Sequence, residues 1–220
     1  MKVLIQLALV TTALVLIVQQ GRAGDAEQRF FTVTVDGKPA GVFKMSIQPA
    51  DDGAVAHACQ ATIQAKTTHG MFHSNFACNE GWKGGKLQHL EASSDVDGKK
   101  RQVAAAPNGG HLRVTVNGQR SDVSADVWAT TFLVLPAEAR RNGSLPLLVV
   151  ESGKEVAGKL EHVGVDRMTV LGQSLDAAHY RVHGEGIQAD LWYDGSDRLM
   201  RRESLEDGHK IRLELNRVQR

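Results

Sequence analysis

The two cysteines of the chain are where its side chains come closest to a reactive arrangement. Cys59 and Cys78 sit in runs, 55–67 and 71–80, that alternate apolar and polar residues, the period of a half-buried strand. Symmetric closure of these runs around Thr68-His69 sets Cys59 opposite Cys78. One face then carries Cys59, Ala61, Ile63 and Ala65 against Phe72, Ser74, Phe76 and Cys78. The other carries Gln60, Thr62, Gln64, Lys66, His73 and Asn75. The thiols therefore point at a core. Three chemistries fit: a cross-strand disulfide, which export to an oxidising compartment favours; two buried free thiols packing as small apolar groups; or a zinc site completed by His57 and Glu80, which extend the same face.

The other histidines do not converge. His179 and His183 share a strand face but stand four residues apart, roughly 13 Å at strand rise, too far to hold one ion. His69 and His209 fall at turns. There is no Gly-x-Ser-x-Gly elbow, no His-Glu-x-x-His and no phosphate loop. Gly184-Glu185-Gly186 begins like a dinucleotide fingerprint, but it precedes a strand instead of following one and opening a helix. Asn142-Gly143-Ser144 matches a glycosylation sequon and reads as a turn. The sequence thus calls for no catalytic residue, no cofactor and no metal ligand outside the zinc reading.

Arg202 is a different kind of candidate. The C-terminal end reads as a three-strand meander: 187–193, a turn at Asp194-Gly195-Ser196-Asp197, 198–205, a turn at Glu206-Asp207-Gly208-His209, and 210–215. Asp-Gly between alternating runs is a hairpin signal. Symmetric closure pairs Tyr193 with Arg198, Trp192 with Leu199 and Asp190 with Arg201. In the second hairpin Arg201 faces Glu214 and Glu203 faces Arg212. One face becomes the charge row Asp190, Arg201, Glu214. The other is apolar, with Ala189, Leu191, Met200, Leu213 and Leu215, and Arg202 falls in its middle. Two readings follow. A bend or bulge turns Arg202 to solvent, or its stem snorkels past the sheet edge. Alternatively, Arg202 lines a concave apolar face and anchors the head group of an amphipathic anion, with Arg198 assisting from the turn.

The elements that would position these residues are strands throughout. Short runs alternate with turn signals every eight to twelve residues, without a sustained helical period, the signature of an all-β sandwich or barrel. The 124–141 segment breaks this rhythm. Trp128, Phe132, Leu133 and Leu135 suit a packed crossover, and Pro136-Ala137-Glu138-Ala139-Arg140 a short helical turn. The N-terminus reads as a signal peptide: Lys2, an apolar run over 3–18, and Gly21-Arg22-Ala23 before a cleavage point. No cysteine lies near that point, which excludes a lipidated bacterial N-terminus. The organisation expected is therefore a signal peptide over 1–23 and a single β domain over 24–220, periplasmic or secreted, with no membrane span in the mature chain. The full chain has 26 basic and 25 acidic residues, net +1. Removal of Lys2 and Arg22 turns this to −1, which argues against nucleic acid as a partner.

The runs "DLWYDGSDRLMRRES" (190–204) and "EDGHKI" (206–211), together with "LLVVESG" (147–153), Trp128, Phe132 and "VTVDGKPAGVF" (33–43), resemble a group of secreted bacterial domains of unknown function. That group is similar in architecture to periplasmic lipoprotein carriers. The resemblance implies one curled antiparallel sheet, an open half-barrel or barrel-like meander with a short helical crossover. It brings no established catalytic residues. It implies a non-enzymatic module that binds an apolar or amphipathic ligand, a small molecule or lipid, in the concavity of the sheet. The alternative is a structural module that binds another envelope protein through a sheet edge or face.

Overall fold

The computed structural model describes residues 26–67, 70–206 and 208–220. The signal-peptide segment and the Thr68-His69 turn centre lie outside the described residues. Fifteen strands form one sheet: β1 (Glu27–Val35), β2 (Lys38–Pro49), β3 (Ala54–Thr67), β4 (Gly70–Lys83), β5 (Lys86–Val96), β6 (Lys99–Asn108), β7 (His111–Val116), β8 (Gln119–Ser124), β9 (Trp128–Ala129), β10 (Gly143–Val149), β11 (Lys154–Val170), β12 (Gln173–Gly184), β13 (Ile187–Tyr193), β14 (Leu199–Glu206) and β15 (His209–Gln219). The spatial order runs from β8 back to β1, then from β15 back to β9. The terminal strands β1 and β15 thus pair at the centre, and two meanders spread outward from them. Among the described residues only β9 pairs in parallel, with β10. The expected all-β curled sheet is therefore present. The helical crossover reduces to a single 3-10 turn, Glu138–Arg140, and β10 begins at Gly143 shortly after it.

The sheet curls until its far strands meet without hydrogen-bonding edge to edge. The Ser124 amide donates to Glu155 Oε2 at 2.6 Å, and Arg101 Nη1 to the Glu151 carbonyl at 3.1 Å. Gly153 sits at the closest approach, with φ +69°. A Cβ there would lie 2.4 Å from Val116 Cγ2 and 2.9 Å from Val114 Cγ1, so only glycine fits between the β10–β11 turn and β7.

The crossover occupies the concavity. Residues 127–136 are all buried except half-buried Val134. The Thr131 hydroxyl bonds Glu80 on β4, and the Tyr193 hydroxyl of β13 donates to the Phe132 carbonyl at 2.8 Å. Strands β4 and β13 stand far apart in the sheet, so the segment links opposite walls. Trp128 packs edge-on to Phe132, centroids 4.9 Å apart, and donates to the Val134 carbonyl at 2.5 Å. Phe132 takes a left-handed backbone, φ +57°, uncommon for a bulky residue. The segment joins the buried side chains of both meanders in one core.

The register at Cys59–Cys78 is the one expected. In the C-terminal meander the second hairpin pairs as expected, Arg201 with Glu214 and Glu203 with Arg212. The first does not. Asp190 faces Glu203, Leu191 faces Arg202, Trp192 faces Arg201 and Tyr193 faces Leu199. Two local features cause the difference. The turn closes by Asp194 N–H to the Arg198 carbonyl, with Asp197 left-handed at φ +58°, a three-residue loop in place of the symmetric one. A bulge between Trp192 and Tyr193 then adds a second offset. Beyond the bulge the two offsets together shift the pairing by two residues, so the side chains from Ala189 to Trp192 and from Arg201 to Ser204 keep their faces, while Leu199 moves to the side of Tyr193.

Candidate functional site

Arg202 does lie on the inner face, between Leu191 and Leu213. Its guanidinium carbon stands 5.3 Å from the centroid of the Phe132 ring, and Nη2 donates to Glu206 Oε1 at 2.5 Å. The same oxygen accepts from the Ser204 hydroxyl at 2.7 Å. Strand β14 runs to Glu206, so Arg202, Ser204 and Glu206 alternate onto one face. Reading Glu206 as a turn residue hid this partner. The carboxylate comes from Arg202's own strand, four residues on.

These groups open onto a recess of about 330 Å³ at the rim of the curled sheet. Arg202, Ser204, Leu205 and Glu206 form one side; Ile187, Gln188 and Ala189 another; Thr130 and Phe132 of the crossover the floor; Val149 and Glu151 close it. Solvent reaches the Glu151 side chain, yet the protein around it is dense enough for burial to raise its pKa. Arg202 pulls in the opposite direction and Glu206 reinforces the rise. Arg202 keeps one unpaired, buried N–H, at Nε.

Arg198 is elsewhere. Its Nη1 donates to Glu27 Oε2 at 2.6 Å, and Arg220 Nε reaches the same oxygen at 3.0 Å. Arg29 bonds Glu27 Oε1 at 2.5 Å, Asp194 Oδ2 at 2.5 Å and the Leu199 carbonyl at 2.9 Å. Burial alone would raise the Glu27 pKa. The hydrogen bonds from Arg29 and Arg220 outweigh it and the pKa falls. This network ties the start of β1 and the C-terminal Arg220 to the β13–β14 turn. Arg198 and Arg202 have no partner in common, so the structure does not join them in one anion site.

Cys59 and Cys78 oppose each other but are carried as free, buried thiols, not as the expected bridge. A hydrogen bond with Cys59 and burial push the Cys78 thiol far above its usual range, which favours its protonated form. Its Sγ lies 3.7 Å from Glu80 Oε1. Glu80 also accepts from Trp82 Nε1 at 2.8 Å. It is fully buried without a basic partner, so burial raises its pKa against the hydrogen bonds that favour the anion. His57, its cross-strand partner, is buried with Nδ1 unpaired, and burial lowers its pKa to about 4. Among the described residues no group of three or more potential ligands is placed to hold a metal ion, and the zinc reading is not supported.

His179, read from sequence as solvated, is clasped on the outer face. Nδ1 lies 3.1 Å from Asp166 and Nε2 2.8 Å from Asp190, and its ring stacks on Trp192 at 4.4 Å. Trp192 Nε1 also bonds Asp166 at 2.8 Å. With both ring nitrogens engaged, the imidazole offers a ligand no free lone pair. The sequence held one signal for this cluster: His179 and Trp192 occupy facing positions on neighbouring strands.

A wider depression of about 580 Å³ crosses the outer faces of β3–β7, lined by Gln60, Asn79, Ser93, Gln102 and Thr115 among others. It gathers hydrogen-bonding groups without an aromatic or a cation. The rim recess combines a guanidinium, carboxylates and hydroxyls beside the buried crossover; a depression of about 360 Å³ across β3–β6, lined by Phe76, Ser93, Asp95 and Arg101 among others, brings together similar group types but lies away from the crossover.

No helix among the described residues is long and apolar enough to cross a membrane. Among solved structures, the chain is similar to a β-barrel-like protein of the domain of unknown function DUF1849 from Brucella abortus. The TM-score is 0.68 at 10% identity, over 88% of this chain and 97% of that one. At this identity the likeness speaks for the fold alone. No curated protein matches the sequence. A family model described as domain of unknown function DUF6134 matches residues 31–216, nearly the whole β domain, and the chain belongs to that family.

Proposed function

We propose that this protein is a non-enzymatic binding module of the bacterial envelope, periplasmic or secreted, that holds a small amphipathic ligand in the rim recess. The observation that carries this reading is the recess itself: Arg202 faces it above Phe132, with hydroxyls and carboxylates beside apolar walls. Such a mix of apolar lining and few placed polar groups is typical of ligand sites. Its position narrows the ligand. Residues 127–136 fill the concavity, so a long acyl chain would compete with the protein's own crossover. A compact molecule at the rim would not. Export rests on the apolar N-terminal run, and the near-neutral charge disfavours nucleic acid as a partner.

The alternative, docking of another envelope protein on a sheet edge, draws on β8, which ends the sheet. Arg120 and Asp122 are exposed along it, and charged residues on an edge strand discourage strand addition. The recess is therefore preferred.

Native mass spectrometry of protein purified from its own envelope tests the proposal. A retained small molecule, lost from Arg202→Gln at unchanged fold, is the expected result. Octanoate titration followed by amide chemical shifts locates the site, with Gln188, Ser204 and Leu205 moving first. Shifts confined to the outer face of β3–β7 would overturn the assignment.

A further inference from the structure

The lining of the recess holds more acid than base. Glu151 and Glu206 face one guanidinium, that of Arg202. Glu206 Oε1 is shared between Arg202 and Ser204. The Glu151 carboxylate makes no ion pair among the described residues; Arg202 and Arg101 favour its charged form from a distance and Glu206 opposes it. Arg101, the next cation, donates to the Glu151 carbonyl instead. A simple anion drawn to Arg202 would meet two carboxylates, and a simple cation drawn to the carboxylates would meet Arg202. Like charges brought together in a partly desolvated site oppose binding, whereas a ligand with both poles answers each group.

We propose that the ligand is a small zwitterion with an apolar side chain, of the α-amino acid class. This rests on the recess reading above. Its carboxylate pairs with Arg202, its ammonium with Glu151, and its side chain packs on Ile187 and Leu205. The volume, about 330 Å³, lies at the small end for ligand sites. Burial raises the Glu151 pKa, and an arriving ammonium would offset that penalty.

Three probes with one ring separate the poles: L-phenylalanine, 2-phenylethylamine and 3-phenylpropionate, each titrated into the purified protein and followed by amide chemical shifts. Phenylalanine should bind at least tenfold tighter than either single-pole analogue. Glu151→Gln should erase its advantage over phenylpropionate, and Arg202→Gln its advantage over phenylethylamine, with a retained cooperative melting transition confirming that each variant is folded. Phenylpropionate binding as well as phenylalanine would overturn the zwitterion and leave an anion site. Equal binding of the amine would overturn it in favour of a cation site. If none of the three binds while octanoate does, in an Arg202-dependent way, the recess reading survives and the zwitterion fails. If octanoate also fails, both fall.

Discussion

Arg202 lies over the face of Phe132, 5.3 Å from guanidinium carbon to ring centroid, and this contact joins the C-terminal meander to the crossover that fills the sheet. A cation over an aromatic face is worth about 0.5–1 kcal/mol where water still has access. The ion pair with Glu206 adds little, because the Glu206 side chain is 46% exposed and solvent screens such pairs. Arg202→Ala should therefore lower stability by about 1 kcal/mol by chemical denaturation. A double-mutant cycle with Phe132→Leu should recover a coupling of about that size. Zero coupling would mean that Arg202 and Phe132 are neighbours without an interaction.

Gly153 is the point where the curled sheet closes on itself. Alanine there meets two valine side chains at distances that real Cβ atoms do not show, on a left-handed backbone. Overpacking of this kind costs about 1–3 kcal/mol, and the backbone conformation adds about 1 kcal/mol more. Gly153→Ala should lower the denaturation midpoint accordingly. Gly37→Ala is the control. It shares the left-handed φ but has open space around it, so only the smaller backbone penalty should appear.

Cys59 and Cys78 are Cα partners on adjacent antiparallel strands, with both side chains buried. In an oxidising compartment this pair is expected to form a bridge. The chain-entropy estimate for a loop of this order is about 3 kcal/mol, lessened here because the hairpin already holds the sites together. Intact mass before and after reduction and alkylation should show two thiols only after reduction. Labelling of both thiols without reductant would leave them as small core groups and disfavour an oxidising compartment.

Much of this was legible because side-chain alternation in a strand depends on parity. The Cys59 row and the Arg202 face follow from period two, and the second survives an erroneous hairpin register because the loop and the bulge offset it by an even number. Local backbone features were less legible. Nothing in Asp194-Gly195-Ser196-Asp197 dictates that Asp197 turns left-handed, and a strand end one residue further along moved Glu206 from a turn to the partner of Arg202. The apolar residues of 127–136 signalled packing, but not that the segment would span from Glu80 to Tyr193, because contacts across a curled sheet leave no periodic trace. Arg198 was misassigned for a similar reason: its partner Glu27 lies at the other end of the chain, adjacent only because β1 pairs with β15.

His57 and Glu80 face each other across β3 and β4 and give stability opposite pH dependences. Burial depresses the His57 pKa from 6.5 to about 4, so its contribution is present above about 6.5 and is lost as pH falls towards 4. A depression of that size corresponds to about 3 kcal/mol. Burial raises the Glu80 pKa above 4.5. Its contribution is complete below 4.5 and fades as pH rises through the raised folded value. Denaturation at a series of pH values should show an acid decline between about 6.5 and 4 that His57→Phe removes. It should also show a loss of stability as pH rises above 4.5 that Glu80→Gln removes. The glutamine keeps a neutral acceptor for Thr131 and Trp82 and should match the native protein below pH 4.5, where the carboxyl is protonated. Glu80→Ala leaves the buried Trp82 donor unpaired and should cost about 1–3 kcal/mol. An acid limb unchanged in His57→Phe would show that other groups govern the acid transition. Strong destabilisation of Glu80→Gln at neutral pH would show that Glu80 is ionised in the fold and draws its compensation from a group other than Thr131, Trp82 and Cys78.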